Sequence, residues 1–266
     1  MSASSMASLP PISPKDPEVA GEALRGQGES LVDCRACALC QGRTQVVFGA
    51  GSPVADLMFV GEGPGFNEDK QGEPFVGQAG KLLNELLEGI GLSRSQVYIG
   101  NVVKCRPPGN RDPLPEEIAA CTPHLMQQIR VIRPAVICTL GRFATRVIAQ
   151  TEAPISAVRG KAKEVEVAGI PVIVFPVFHP AAALYTAANR GVLEQDFQKL
   201  RVLLARGRGA LAAGQGAEGD PSDPTEVATP EAEVDVPGGG VTGAGKSAVA
   251  GAGVRPTAGE EQLKLW

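Results

Sequence analysis

No stretch of this 266-residue chain approaches the ~20 uninterrupted apolar residues that a membrane helix needs, and the N-terminus lacks a basic region followed by an apolar one. The expected address is the cytoplasm. Positive charge is not in excess either: 25 basic against 29 acidic side chains leave −4, which argues at first sight against a nucleic-acid partner, because a phosphate backbone selects for Lys and Arg. The average hides a gradient. From Arg206 onward there are 5 basic and 9 acidic residues, whereas the chain before it holds 20 of each, so any anion-binding surface is a local patch. Aromatic residues make up only 4%. With 43% hydrophobic and 20% charged residues, the composition suits one sizeable core or two small ones.

What is present falls into segments. Residues 1–30 are rich in Ser, Pro, Gly and Ala without an apolar period and read as a flexible leader. Residues 206–261 are Gly, Ala, Pro and acidic residues with almost nothing large and apolar, too little to offset the entropy of ordering them. The folded domain is therefore expected over 31–205. Inside it, the β-prone runs Leu57 to Val60, Val97 to Val103, Ala135 to Leu140 and Val172 to Phe175 alternate with helical patterns. Leu82, Leu83, Leu86, Leu87 and Ile90 recur at helical spacing, Pro115 opens a helix running to about Ile132, Gly141 starts another, and Leu193 to Leu204 supplies the last. The fold class predicted is α/β, a three-layer sandwich whose central, mainly parallel four-stranded sheet is flanked by helices. Such sheets bind ligands beyond the carboxyl ends of their strands. Three segments meet there: Gly61 to Gly65, Asn101 to Arg111, and Phe178 to Pro180.

Six cysteines in a chain without a secretion signal point to metal ligands or buried thiols rather than disulfides. Cys34 and Cys37 form a tight pair, with Cys105 and Cys121 far downstream as singles. Four such thiolates can close on zinc or hold a cubane iron-sulfur cluster; buried, unligated cysteines are the simpler alternative. Cys138, inside an apolar strand, belongs to the core. The Gly61-Glu62-Gly63-Pro64-Gly65 turn brings backbone close to a ligand, though any tight turn uses the same residues. His179, one of two histidines, can donate to developing negative charge or serve structure alone. His124 reads as helix packing or surface. Gly240, Gly245, Lys246 and Ser247 spell a P-loop, but their flanks offer neither the strand nor the helix that a P-loop requires.

Read in order, Cys34-Arg35-Ala36-Cys37, Gly42-Arg43-Thr44, Val46 to Gly49, Gly61 to Gly65, Pro74-Phe75-Val76-Gly77, Asn101 to Pro108, Asn110-Arg111, Cys121, Val158 to Lys161 and His179-Pro180-Ala181 resemble the family 4 uracil-DNA glycosylases, the iron-sulfur branch of their superfamily. The likeness covers about Cys34 to Leu204. It implies a 4Fe-4S cluster on Cys34, Cys37, Cys105 and Cys121, with Cys40 at a position where the family does not require cysteine. It implies a monofunctional hydrolase that flips uracil out of single- or double-stranded DNA, cleaves the glycosidic bond and leaves an abasic site to start base excision repair. By that resemblance Asn101 reads the Watson-Crick edge, Phe75 stacks on the base, Glu68 lines the pocket, and His179 stabilises the leaving anion with backbone amides near Gly63, while Glu62 polarises water or holds the turn. Lys104, Arg106, Arg111 and Arg159 are expected to face the DNA, and Leu184 to fill the gap left by the flipped base or else to be core. The best-known branch places an aspartate where this chain has Gly63. A histidine for covalent capture of the abasic sugar is missing between Arg106 and Asn110.

The C-terminal Gln262, Leu263, Leu265 and Trp266 resemble a bacterial sliding-clamp-binding motif at the end of a long tether. The remaining expectations are a monomer without a membrane partner, working at the nucleoid of a prokaryotic cell. A non-catalytic binder of uracil-containing or single-stranded DNA is the alternative from another class.

Overall fold

The computed structural model describes residues 15–214, with 206–214 described by backbone alone. In chain order the elements are α1 (Pro17–Ser30), β1 (Ala50–Gly51), β2 (Leu57–Gly61), α2 (Phe66–Gln71), α3 (Gln78–Glu88), β3 (Tyr98–Asn101), α4 (Pro115–Ile132), β4 (Val136–Leu140), α5 (Arg142–Ala149), α6 (Ile155–Val158), β5 (Lys163–Val167), β6 (Ile170–Val177), α7 (Ala181–Tyr185) and α8 (Ala187–Gly214). The strand order is β1-β3-β2-β4-β6-β5.

The four expected strands form the parallel centre, β3-β2-β4-β6. The sheet nevertheless has six strands rather than four, because β1 and β5 add antiparallel edges. Both lacked an apolar run: β1 is two residues long, and β5 reads Lys-Glu-Val-Glu-Val. Central strands buried on both faces are continuously apolar, whereas an edge strand keeps its charges in water.

Side-chain alternation divides the core into two layers. Leu57 and Phe59 of β2 face α3 and α8, joining Leu83, Leu87, Leu193, Phe197 and Leu200. Phe59 and Phe197 stack with ring centroids 5.8 Å apart. Met58 and Val60 point the other way, towards Leu125, Ile129 and Ile132 of α4 and Ala144 and Ile148 of α5. Removing one of these fully buried leucines would cost about 2–5 kcal/mol. Cys138 is in the first layer, as its strand position predicts.

Part of the expected leader is helix. Asp16 caps α1 through its carboxylate, which accepts from the Glu18 and Val19 amides, and Pro17 occupies the first turn. Ala20, Leu24 and Gln27, spaced by four and three residues, are buried, and Gln27 donates 2.8 Å to the His124 carbonyl of α4. At the other boundary, α8 runs nine residues past 205 into the expected linker. The P-loop look-alike at 240–247, the rest of the linker and the motif at 262–266 lie outside the described residues. Among the described residues no helix is long and apolar enough to cross a membrane.

Candidate active site

β2 lies between β3 and β4, where the connections diverge to opposite sides, so its C-terminal end is the topological switch point. The loops after β2, β3 and β6 all emerge there. Gly61 closes β2 in register with Asn101, the last residue of β3. A Cβ on Gly61 would lie 2.4 Å from Asn101 Oδ1 and 2.8 Å from the tip of the Phe75 ring. Glycine is thus what lets the amide and the ring approach each other.

Asn101 is 1% exposed, and its Oδ1 is buried without a hydrogen-bond partner. Leaving such an acceptor unpaired costs about 1–3 kcal/mol, an expense explained by a ligand that donates to it. Phe75 stacks on His179, centroids 5.5 Å apart and planes inclined by 28°. Its backbone has φ 55°, a left-handed conformation that a bulky residue adopts only under constraint. The constraint is visible. Glu68 Oε1 accepts from the Val76 and Gly77 amides at 3.0 and 2.9 Å, and Arg94 donates to the Pro74 and Phe75 carbonyls. Gly80 of α3 leaves the room in which the Phe75 carbonyl sits.

His179 Nδ1 accepts the Ala181 amide at 3.2 Å. A neutral imidazole accepting at Nδ1 carries its proton on Nε2, as a donor. Burial pushes the imidazolium pKa down to about 4, so the ring is neutral near pH 7. Glu62 behaves oppositely: burial, then the nearby Asp112 carboxylate, raise it to about 7, with Arg142 opposing. Asp112 and Arg142 pair with each other at the cleft rim. Both belong to the site's electrostatics, yet neither stands in a motif that would draw attention to it.

The cysteines other than Cys138 lie on the α4 side. Cys34, Cys37, Cys40, Cys105 and Cys121 line one small cavity with Leu31, Arg43, Lys104 and His124, so His124 borders the thiols rather than serving packing alone. Among the described residues no three His, Cys, Asp or Glu groups converge as one bound metal ion requires. Donors are aimed at the sulfurs: Arg43 reaches Cys105 Sγ at 3.4 Å while also binding the Cys34 and Val32 carbonyls, and the Lys104 amide reaches Cys121 Sγ at 3.3 Å. Buried Asp69 of α2 receives the amide and hydroxyl of Thr44 at 2.9 and 2.6 Å. This ties the cysteine loop to the glycine-rich turn. Residues so far apart in sequence gave no sign of that link.

The expected DNA-facing residues divide. Lys104 does not reach the surface: it is 2% exposed, with Nζ donating to the Asn101 carbonyl at 2.9 Å and to Gln128. Its stem is packed between β3 and α4, and burial lowers its pKa to about 8. It steadies Asn101 from behind. Arg106 lies at the cleft with Nε on Asn110 Oδ1 at 2.7 Å. Arg111 is bidentate on Glu117, at 2.9 and 2.7 Å. Arg159 pairs at 2.8 Å with Asp196, whose side chain is fully buried, and lies over the Phe178 ring beside His179. Leu184, on α7, is 47% exposed and not core.

The model of the uracil DNA glycosylase superfamily matches residues 48–201. A type-4 uracil-DNA glycosylase of Sulfurisphaera tokodaii is 52% identical over 66% of this chain and 82% of its own length. That of Archaeoglobus fulgidus is 49% identical over 66% and 90%, and that of Thermotoga maritima 45% over 67% and 93%. Identity of this extent, on a fold that gathers the signature segments at one sheet edge, leads to a single conclusion: the chain belongs to the uracil DNA glycosylase superfamily, in its type-4 branch.

Proposed function

We infer that the protein is a monofunctional DNA glycosylase that hydrolyses the glycosidic bond of uracil in DNA and leaves an abasic site. One observation carries this reading: the buried, unpartnered Asn101 Oδ1 beside the Phe75–His179 stack. Uracil N3–H would satisfy that oxygen, and the amide NH₂ would donate to O4. Cytosine presents the reverse pattern at those atoms and would leave buried groups unpaired. With Phe75 against the base, the neutral His179 donates from Nε2 to O2 as the bond breaks, stabilising the departing anion without transferring a full proton. Amides near Gly63 add to this. Glu62, ionised above about pH 7, orients the water that adds to the sugar. Glu68 acts by fixing the Phe75 turn. Arg106, Arg111 and Arg159 bind phosphates along the cleft, and Leu184 fills the space that the base vacates.

Cys34, Cys37, Cys105 and Cys121 would hold a 4Fe-4S cluster. N–H donors on two of the sulfurs, from Arg43 to Cys105 and from the Lys104 amide to Cys121, suit the thiolates of such a cluster, whose properties depend on hydrogen bonds to sulfur. The cluster would supply cross-linking rather than electrons, fastening the cysteine loop to the segment that carries Asn101. Brown protein absorbing near ~400 nm and containing iron is expected, with both features lost in Cys121→Ser and kept in Cys40→Ser.

The protein would work as a monomer, and Gln262, Leu263, Leu265 and Trp266 would bind a sliding clamp. Truncation before Gln262 should abolish clamp pull-down and spare excision from free oligonucleotides. The deciding assay for the activity treats a single-uracil oligonucleotide with enzyme and then alkali. Strand scission only after alkali is expected; no scission would favour a non-catalytic binder, and a covalent adduct would favour capture of the sugar.

A further inference from the structure

Beside the cleft stands an aromatic ring that the chemistry above does not use. Phe66 opens α2 directly after the Gly61–Gly65 loop, and it is 49% exposed in a chain with few aromatic residues. Two cations from different elements attend it. Lys70 Nζ, one helical turn on, lies 4.3 Å from the ring centroid, and the Arg106 guanidinium, on the loop that follows Asn101, lies 5.1 Å away. A half-exposed phenylalanine adds little to the core, and both cations come from segments that flank the site, Lys70 from the helix after the Gly61–Gly65 loop and Arg106 from the loop after Asn101. An aromatic face beside positive charge is the chemistry by which proteins hold unpaired nucleotides: the base stacks on the ring while the cations move onto the adjoining phosphates.

We propose that Phe66, with Lys70 and Arg106, is a stacking platform for one unpaired base next to the extruded uracil, so that single-stranded DNA is held more tightly than duplex. In a duplex the neighbouring bases already stack on each other and would have to be pulled apart to use the ring; in a single strand they are free. The proposal rests on the glycosylase reading.

The test uses a short single strand containing 2′-fluoro-deoxyuridine, whose fluorine resists glycosidic cleavage, with 2-aminopurine placed in turn at each neighbouring position. Wild type and Phe66→Trp should quench the fluorophore at one neighbouring position, and Phe66→Leu, which keeps an apolar side chain without a ring, should not. Phe66→Leu should also bind this strand about fivefold or more weakly, with a smaller loss on the matching duplex. Because Phe66 is half-exposed, these variants should keep the wild-type melting curve. Equal quenching in wild type and Phe66→Leu, or equal losses on strand and duplex, would overturn the platform. If wild type also failed to release uracil from an unfluorinated strand, the glycosylase reading would fall with it; release without the quench removes the platform alone.

Discussion

Gly61→Ala is the substitution that separates the site from the fold. Ordinary contact between a carbon and its neighbours is about 3.5–4.0 Å, whereas the new methyl would lie 2.4 Å from Asn101 Oδ1 and 2.8 and 2.9 Å from two Phe75 ring carbons. Amide and ring must each retreat by roughly 1 Å. Both are side-chain tips, and Gly61 does not occupy a left-handed conformation, so the strand itself can accept alanine. The stability cost should lie at the lower end of the ~1–3 kcal/mol typical of overpacking, lowering Tm by about 2–4 °C per kcal/mol for a domain of this size. Excision is far less tolerant, since a 1 Å displacement of positioned groups costs about 100-fold. Single-turnover release of uracil at saturating enzyme, measured beside a thermal melt, should show a near-native melt with a rate loss of that order. A wild-type rate would refute the claim that Asn101 and Phe75 must converge at Gly61.

Other predictions concern charge. Glu62 ionises only above about pH 7, because burial and Asp112 disfavour its charge, so excision should fall as pH drops through 7, and Glu62→Gln should lower the plateau and flatten that limb. His179, neutral down to about pH 4, contributes no limb there. A raised folded pKa also means that stability from Glu62 is full below its unfolded value and lost as pH rises through 7; the advantage of Glu62→Gln in urea should therefore grow over that interval. Asp196→Ala leaves Arg159 without its buried carboxylate. Loss of that charge-assisted pairing should cost about 1.5–3 kcal/mol in denaturant unfolding and slow excision by loosening Phe178 beside His179, whereas Arg190→Ala, exposed like its partners, should leave stability almost unchanged.

The parallel strands were legible because burial on both faces leaves a continuous apolar run, as in Leu57 to Val60 and Val136 to Leu140. Alternation of strands and helices placed Asn101 and His179 at one sheet edge, whereas Phe75 and the role of each residue came only through the resemblance; the three do meet there. What escaped the sequence depends on contacts between distant residues. α1 buries a narrow stripe among glycines and serines. Lys104 looks like a DNA contact until the path of the chain turns it inward to the Asn101 carbonyl. The Thr44–Asp69 clasp, the Arg94 hold on the Phe75 turn and the Asp112–Arg142 pair beside Glu62 each join segments that sequence spacing does not connect.

The central claim is that one buried amide reads the base, and it is tested most directly by measuring release of uracil and of cytosine from otherwise identical strands by wild type and Asn101→Asp. A carboxylate only accepts hydrogen bonds, so it should repel uracil O4 and welcome the cytosine amino group. The prediction is a collapse of uracil release in the variant, with cytosine gaining relative to uracil. Uracil release at the wild-type rate would contradict it.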